Sequence, residues 1–177
     1  MPTPDFILSL REKIGHEHLL LPGVTAIVIK DVPADAPLWA VPEVLMVKRS
    51  DNGIWTPITG IVDPLEEPHV TACREVAEET GLNVQVKALL GVGQVGPMTY
   101  PNGDEVSFID TSFRCEVTPG TPDEPRIGDE ESSDVGWFSI AQLPPTLPRF
   151  RLVIADAVAQ LRHPTGFTPR FGYIKRT

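Results

Sequence analysis

At 177 residues with 41% hydrophobic content, the chain has the size of one domain with a modest extension and enough apolar material for a packed core. Its formal net charge of −9 excludes a general nucleic-acid-binding surface, which would be basic, but not a small anionic substrate held through a metal. No apolar run approaches the ~18 residues of a membrane span, no secretory signal is legible, and Cys73 and Cys115 read as buried thiols, so a cytoplasmic location is expected.

Thr3-Pro4-Asp5 predicts a helix start with Pro4 at the first helical position, and Phe6, Ile7, Leu10 and Ile14 recur at helical spacing until Gly15 stops them. The apolar face of this helix either packs back on the domain or meets a second subunit in a homodimer. His16-Glu17-His18 lacks the further ligands of a metal site and reads as a polar connector.

Residues 23–30 (GVTAIVIK) and 44–49 (VLMVKR) are rich in β-branched residues and predict strands, separated by a Pro- and Asp-containing loop at 31–42. Asp51-Asn52-Gly53 predicts a tight turn into a short segment at 54–58. Residues 84–95, with Gly91 and Gly93 inside and Gly96 just after, predict a strand that bends or bulges. A turn at 101–104 then leads to a long strand at 105–117, with Val106, Phe108, Phe113 and Val117 as apolar positions, so the two strands form a hairpin.

Residues 118–134 read as a long surface loop, 135–140 as a short strand, and 149–162 as a last helix with Leu152, Ala155, Val158 and Ala159 on one face. The tail from His163 reads as an ordered arm or a frayed end. Strands and helices mix without strict βαβ alternation, which predicts a mixed sheet with helices packed on it.

The stretch that carries chemistry is 60–82, GIVDPLEEPHVTACREVAEETGL. Pro68 near the start and Gly81 at the end bound a helix at 69–80. At about 100° per residue, Glu78 and Glu79 fall within roughly 60° of Glu75, whereas Val70, Cys73, Val76 and Ala77 fall on the other side. One acidic face and one core face are therefore expected. Like charges at i,i+4 cost a helix roughly a few tenths of a kcal/mol per pair, and a hard divalent cation such as Mg²⁺ or Mn²⁺ offsets that repulsion.

The same stretch resembles the box of the Nudix hydrolases. Gly60, Glu66, Arg74, Glu75, Val76, Glu78, Glu79, Gly81 and Leu82 fill its nine specified positions at the family's spacing, a match with a chance probability of roughly 10⁻⁷ from average residue frequencies. The resemblance implies a Nudix-type α/β/α sandwich, an α/β (α+β) fold with a mixed β-sheet flanked by helices. It implies an N-terminal helical extension at 1–18, a Nudix domain at 19–162 and a C-terminal tail at 163–177.

Carried over by position, the resemblance implies that Glu75, Glu78 and Glu79 bind the divalent cation, Mg²⁺ or Mn²⁺, with Glu66 and the Thr59 carbonyl assisting. Arg74 orients a box carboxylate, Glu66 first. Glu131, six residues before Trp137, stands where many relatives place a further metal ligand or general base, with Glu130 second; the base is Glu75 or Glu131. Thr59 and Leu65 replace glycines that the family often carries. Since glycine usually supplies φ > 0 or a close approach, the loop is expected to differ in shape.

The implied reaction is metal-dependent hydrolysis of a diphosphate bond in a nucleoside diphosphate derivative, ADP-ribose or a similar nucleotide sugar first. The alternatives are a MutT-like nucleoside triphosphate pyrophosphohydrolase, oxidised nucleotides included, and a module that senses a nucleotide without cleaving it. Pro97 and Tyr100 lie fifteen and eighteen residues after Leu82, near positions the family links to ADP-ribose and to dinucleoside polyphosphates. Trp55, Tyr100 and Phe108 are candidates to stack on a base, and Lys48, Arg49 and Arg114 to meet phosphates. A merely solvated acidic helix and an isomerase using Cys115 are the competing readings. The expected partner is a small-molecule nucleotide, with neither nucleic acid nor membrane.

Overall fold

The computed structural model describes residues 3–173. In chain order the elements are α1 (Asp5–Ile14), β1 (Leu19–Lys30), β2 (Glu43–Arg49), β3 (Trp55–Thr56), β4 (Ile58–Ile61), α2 (Pro68–Thr80), β5 (Val84–Thr99), β6 (Glu105–Val117), β7 (Ser132–Ser139), α3 (Pro148–Arg162) and β8 (Arg170–Phe171). The strands make one mixed sheet in the order β3-β2-β1-β6-β5-β8, with β4 paired to β1 and β7 to β2. β1 runs parallel to β6, while β5 and β6 form an antiparallel hairpin with three register irregularities.

β1 explains the two-sided core. Its Val24, Ala26 and Val28 join Leu45, Ile58, Ala72 and Val76 under α2, while its Ile27 and Ile29 join Val44, Met46, Val153, Ile154 and Ala157 under α3. A strand buried on both faces reads as a continuous apolar run, which is what residues 26–29 are. Helices on both faces of one mixed sheet give the expected α/β/α sandwich. α1 packs back on the domain through Ile7, which meets Leu21 and Val106. Pro4 is its N-cap rather than its first helical residue.

Three further expectations are corrected in detail, and a fourth, that of the tail, is decided between its two alternatives. The first strand begins at Leu19, because residues 19–22 also pair with β6. The segment after the turn divides into β3 and β4 on either side of Pro57, whose ring nitrogen cannot donate to a ladder. The strand expected at 84–95 runs on to Thr99, its bulges absorbed within the ladder. The tail is an arm, since Arg170–Phe171 adds a short parallel strand beside β5; residues 174–177 lie outside the described residues.

The orientation of α2 also differs. Its buried residues are Thr71, Ala72, Glu75, Val76 and Thr80, whereas Val70 and Ala77 are exposed and Cys73 is half-buried at the edge of the core. Glu75 therefore faces inward. The reason is Gly60 on β4: a Cβ there would overlap the Glu75 side chain, so the missing side chain admits the carboxylate and lets the helix settle on that strand. Cys115 is fully buried, as expected.

Candidate active site

The acidic residues are positioned by the two ends of α2. At its start, Leu65 adopts φ 70, the left-handed conformation a glycine would take without strain, with its side chain fully exposed. Leu65 thus holds a left-handed conformation at a cost of about 1–2 kcal/mol. Leu65→Gly is expected to raise stability by about 0.5–1 kcal/mol after the added chain entropy of glycine, read from a denaturant midpoint; an unchanged or lowered midpoint contradicts this.

At its end, Gly81 caps the helix with φ 70. The Arg126 and Gly128 N–H groups each donate at 2.9 Å to the carbonyls of Thr80 and Glu79, satisfying carbonyls that helix geometry leaves unpaired. A Cβ on Gly128 would overlap the Glu78 carbonyl, so glycine is required for this close approach. This clamp has no signature in the sequence, because Gly128 lies in an acidic loop without a turn motif. It carries Asp129 toward Glu79.

Arg74 organises the near half of the site. Its Nε and Nη2 donate to the two Glu66 oxygens, both at 2.9 Å, and Thr71 donates to Glu66 at 2.7 Å. Its Nη1 donates to Glu75 at 3.0 Å and to Glu78 at 3.3 Å, and Asp63 stands 3.8 Å from Nη2. One guanidinium thus serves four acids. The Arg74 hydrogen bond holds the Glu66 carboxyl down to about 2, while burial pushes Glu75 up to about 7 against the pull of Arg74. Burial, then the charges of Glu75 and Asp129, push Glu79 up to about 8.

These shifts fix the pH dependence of the metal-free chain. Glu75 and Glu79 hold protons in the folded state that the unfolded chain releases near 4.5, so stability falls as pH rises from 4.5 through 7 to 8. Glu66 acts in the opposite sense, its contribution present above 4.5 and lost as pH falls toward 2. The melting midpoint is expected to be highest near pH 5, and added Mg²⁺ to raise it more at pH 8 than at pH 5. Equal Mg²⁺ shifts at both values would contradict the assignment.

The donor chemistry fits a hard divalent cation: the carboxylate oxygens of Glu66, Glu75, Glu78 and Glu79 outnumber the positive charge of Arg74 beside them, and burial pushes the carboxyls of Glu75 and Glu79 upward. Among the described residues no three acidic, His or Cys side chains already surround one point.

The other expected site residues fall as follows. Thr59 lies on β4 opposite Thr25, one residue before Gly60. The Glu130 and Glu131 carbonyls accept from the Ser50 Oγ and N–H at 2.9 and 2.7 Å, and the Glu131 N–H donates to Asp129 at 3.0 Å. Arg49 pairs with Asp51 through two hydrogen bonds of 3.0 Å and lies within electrostatic reach of Glu79 and Tyr100. Pro97 and Tyr100 are exposed, Pro97 at a bulge of β5. Trp55 is half-buried and packs edge-on to Phe138, ring centroids 4.6 Å apart, against the core under α3. Arg114 is buried and bonded to Gln160 and Glu116, and Phe108 packs beside Leu21.

A sheet sandwiched by helices, with this acidic box at the start and along the length of α2, defines a Nudix domain. The NUDIX domain family profile matches residues 24–161, and the chain belongs to that family. It is 44% identical over 102 residues to a putative 8-oxo-dGTP diphosphatase of Bacillus subtilis, covering 58% of this chain and 61% of that one. It is 32% identical over 103 residues to the NAD-capped RNA hydrolase NudC of Actinobacillus succinogenes, covering 58% and 35%. The match thus spans between about a third and three fifths of these relatives' length. Among solved structures, the NUDIX domain of Shewanella oneidensis NrtR in complex with ADP ribose superposes with a TM-score of 0.59 at 20% identity, over 91% of this chain and 99% of that one. No helix among the described residues is long and apolar enough to cross a membrane.

Proposed function

We propose that this chain is a divalent-metal-dependent hydrolase of a diphosphate bond in a nucleoside diphosphate derivative, with ADP-ribose or a similar nucleotide sugar as the first substrate class. The observation that supports this reading most is the convergence of Glu66, Glu75 and Glu78 on Arg74, with Glu79 on the same helix pushed upward by burial and by the neighbouring acids. Glu75, Glu78 and Glu79 would hold Mg²⁺ or Mn²⁺, with Glu66 and the Thr59 carbonyl assisting. The cation supplies neutralisation of the phosphate oxygens and a water of lowered pKa.

The chain's own residues do the rest. Arg74 fixes the Glu66 and Glu75 carboxylates and keeps their orientation while substrate enters. Glu75 or Glu131 takes the proton of the attacking water. Glu131→Gln distinguishes these two, because it leaves the box intact. Arg49, Trp55, Pro97 and Tyr100 are the proposed substrate contacts, and a homodimer is compatible with the half-exposed Leu8 on α1.

The 44% identity to a protein named as a putative 8-oxo-dGTP diphosphatase favours a second reading, hydrolysis of a nucleoside triphosphate, oxidised nucleotides included. A panel of nucleotide sugars, dinucleotides and triphosphates with Mg²⁺ decides between the two, with Glu78→Gln as control. The hydrolase reading predicts turnover reduced about a hundredfold or more in the control. Binding without turnover of any member, at equal affinity in the control, would favour a sensor instead.

A further inference from the structure

On the α3 side of the sheet lies a polar cluster that the acidic box does not use. Asp110 on β6 is 5% exposed, and its carboxylate accepts from Thr25 Oγ1 at 3.0 Å to each oxygen and from Ser112 Oγ at 3.3 Å. Thr25 and Ser112 are 1% and 0% exposed. The remaining donor comes from the C-terminal arm: the Tyr173 hydroxyl donates to Asp110 Oδ2 at 2.6 Å and also meets Ser112 Oγ. The positive charge of Arg149, on the first turn of α3, acts on both Asp110 and Tyr173.

The arm is seated on bare backbone. A Cβ on Gly93 would lie 2.7 Å from the Tyr173 ring, and one on Gly91 would lie 2.7 Å from the Arg170 carbonyl. The ring of Tyr173 therefore rests over a strand that has no side chain beneath it. The arm is pinned by Arg170, bidentate to Asp156 of α3 at 2.7 and 2.9 Å, and by the Gly172 N–H, which donates to Val92 at 2.8 Å. A carboxylate this deeply buried needs donors, and an aromatic ring with a donor at its edge meets that need. A nucleobase bearing an amino group has the same description. Where the hydroxyl withdraws, Asp110 Oδ2 and Ser112 Oγ, whose proton goes to Asp110, offer two acceptors side by side, the complement of an amino group with its two N–H donors.

The cluster and the box lie on opposite faces of the sheet but share the β1–β4 ladder. Thr25 stands opposite Thr59 in the β1–β4 ladder, and among the described residues β4 pairs with β1 alone. A ligand passing the open edge of β4 joins the two faces. We propose that residues 170–173 are a self-occluding strap, with Tyr173 filling an aryl slot that takes a nucleobase at Asp110 and Ser112 when the strap lifts. The choice of a nucleobase, rather than another donor-bearing ring, rests on the nucleotide reading above.

The strap then acts as a tethered competitor and lowers apparent affinity by the fraction of time it is closed. Tyr173→Ala is expected to bind AMP about tenfold tighter or more in metal-free buffer, with ribose 5-phosphate unchanged, and Asp110→Asn in that background to remove the gain. AMP contains no diphosphate and no metal is present, so failure of the hydrolase reading leaves this result intact. In the unmodified chain, saturating AMP is expected to speed hydrogen exchange at the Gly172 N–H, a readout that does not depend on the variants folding. A folded Tyr173→Ala chain that gains no affinity, or gains equally for ribose 5-phosphate, overturns the proposal. Gly172 exchange that is unchanged or slowed by AMP overturns it as well.

Discussion

Arg74→Ala is expected to cost about 2–4 kcal/mol of stability and to lower turnover about a hundredfold or more. The guanidinium is one-quarter exposed, but its partners are not equally so, since Glu75 is 1% exposed and Glu66 15%. Removing it leaves a fully buried carboxyl without its cation and frees Glu66 from a two-point clamp. Arg74→Lys restores the charge but not the fork, because an ammonium cannot meet both Glu66 oxygens and Glu75 in one plane; it is expected to recover part of the stability and little of the turnover. Denaturant unfolding beside steady-state rates checks both. Full activity in Arg74→Lys would mean that charge alone matters here.

Gly60→Ala tests the seat of Glu75. The added methyl overlaps the Glu75 side chain, and the neighbouring ladder to Val24 prevents β4 from yielding. Overpacking of this kind costs about 1–3 kcal/mol, and a displacement near 1 Å at a reacting group costs about a hundredfold in rate. The expected signature is a chain that still folds, with kcat reduced more than KM is raised. A variant with wild-type kcat would show that the inward Glu75 is not needed.

How much of this was legible beforehand follows from the kind of signal each residue gives. The strands at 24–29 and 105–117 were readable because β-branched and apolar runs are local, and the box was readable because its spacing is rigid. The rotation of α2 was not. A helical wheel places Glu75 with Glu78 and Glu79, but which sector faces the sheet depends on Gly60, whose effect appears only when β4 and α2 meet. Leu65 illustrates the reverse case: the sequence flagged the absence of a glycine, and the backbone there takes the left-handed conformation that a glycine would take without strain, so Leu65 bears the strain.

Contacts between distant segments were invisible for the same reason. Gly128 closes on the end of α2 through backbone groups that have no sequence signature. Asp110 did leave a trace, a lone acid between Ile109 and Thr111 in a strand pattern, but its partner Tyr173 lies in an arm that composition alone described as tail. The family and the sandwich were therefore within reach of the sequence, and the arrangement of the acids was not.

The most direct test is ³¹P NMR of ADP-ribose incubated with the chain and Mg²⁺ in ¹⁸O-labelled water. The diphosphate signals are expected to give way to two phosphomonoester signals, one of them carrying the isotope shift, and neither is expected without the metal or in folded Glu78→Gln. If the diphosphate signals of ADP-ribose and of every nucleotide in the panel persist beside a folded, Mg²⁺-bound chain, the acidic face of α2 does not serve hydrolysis.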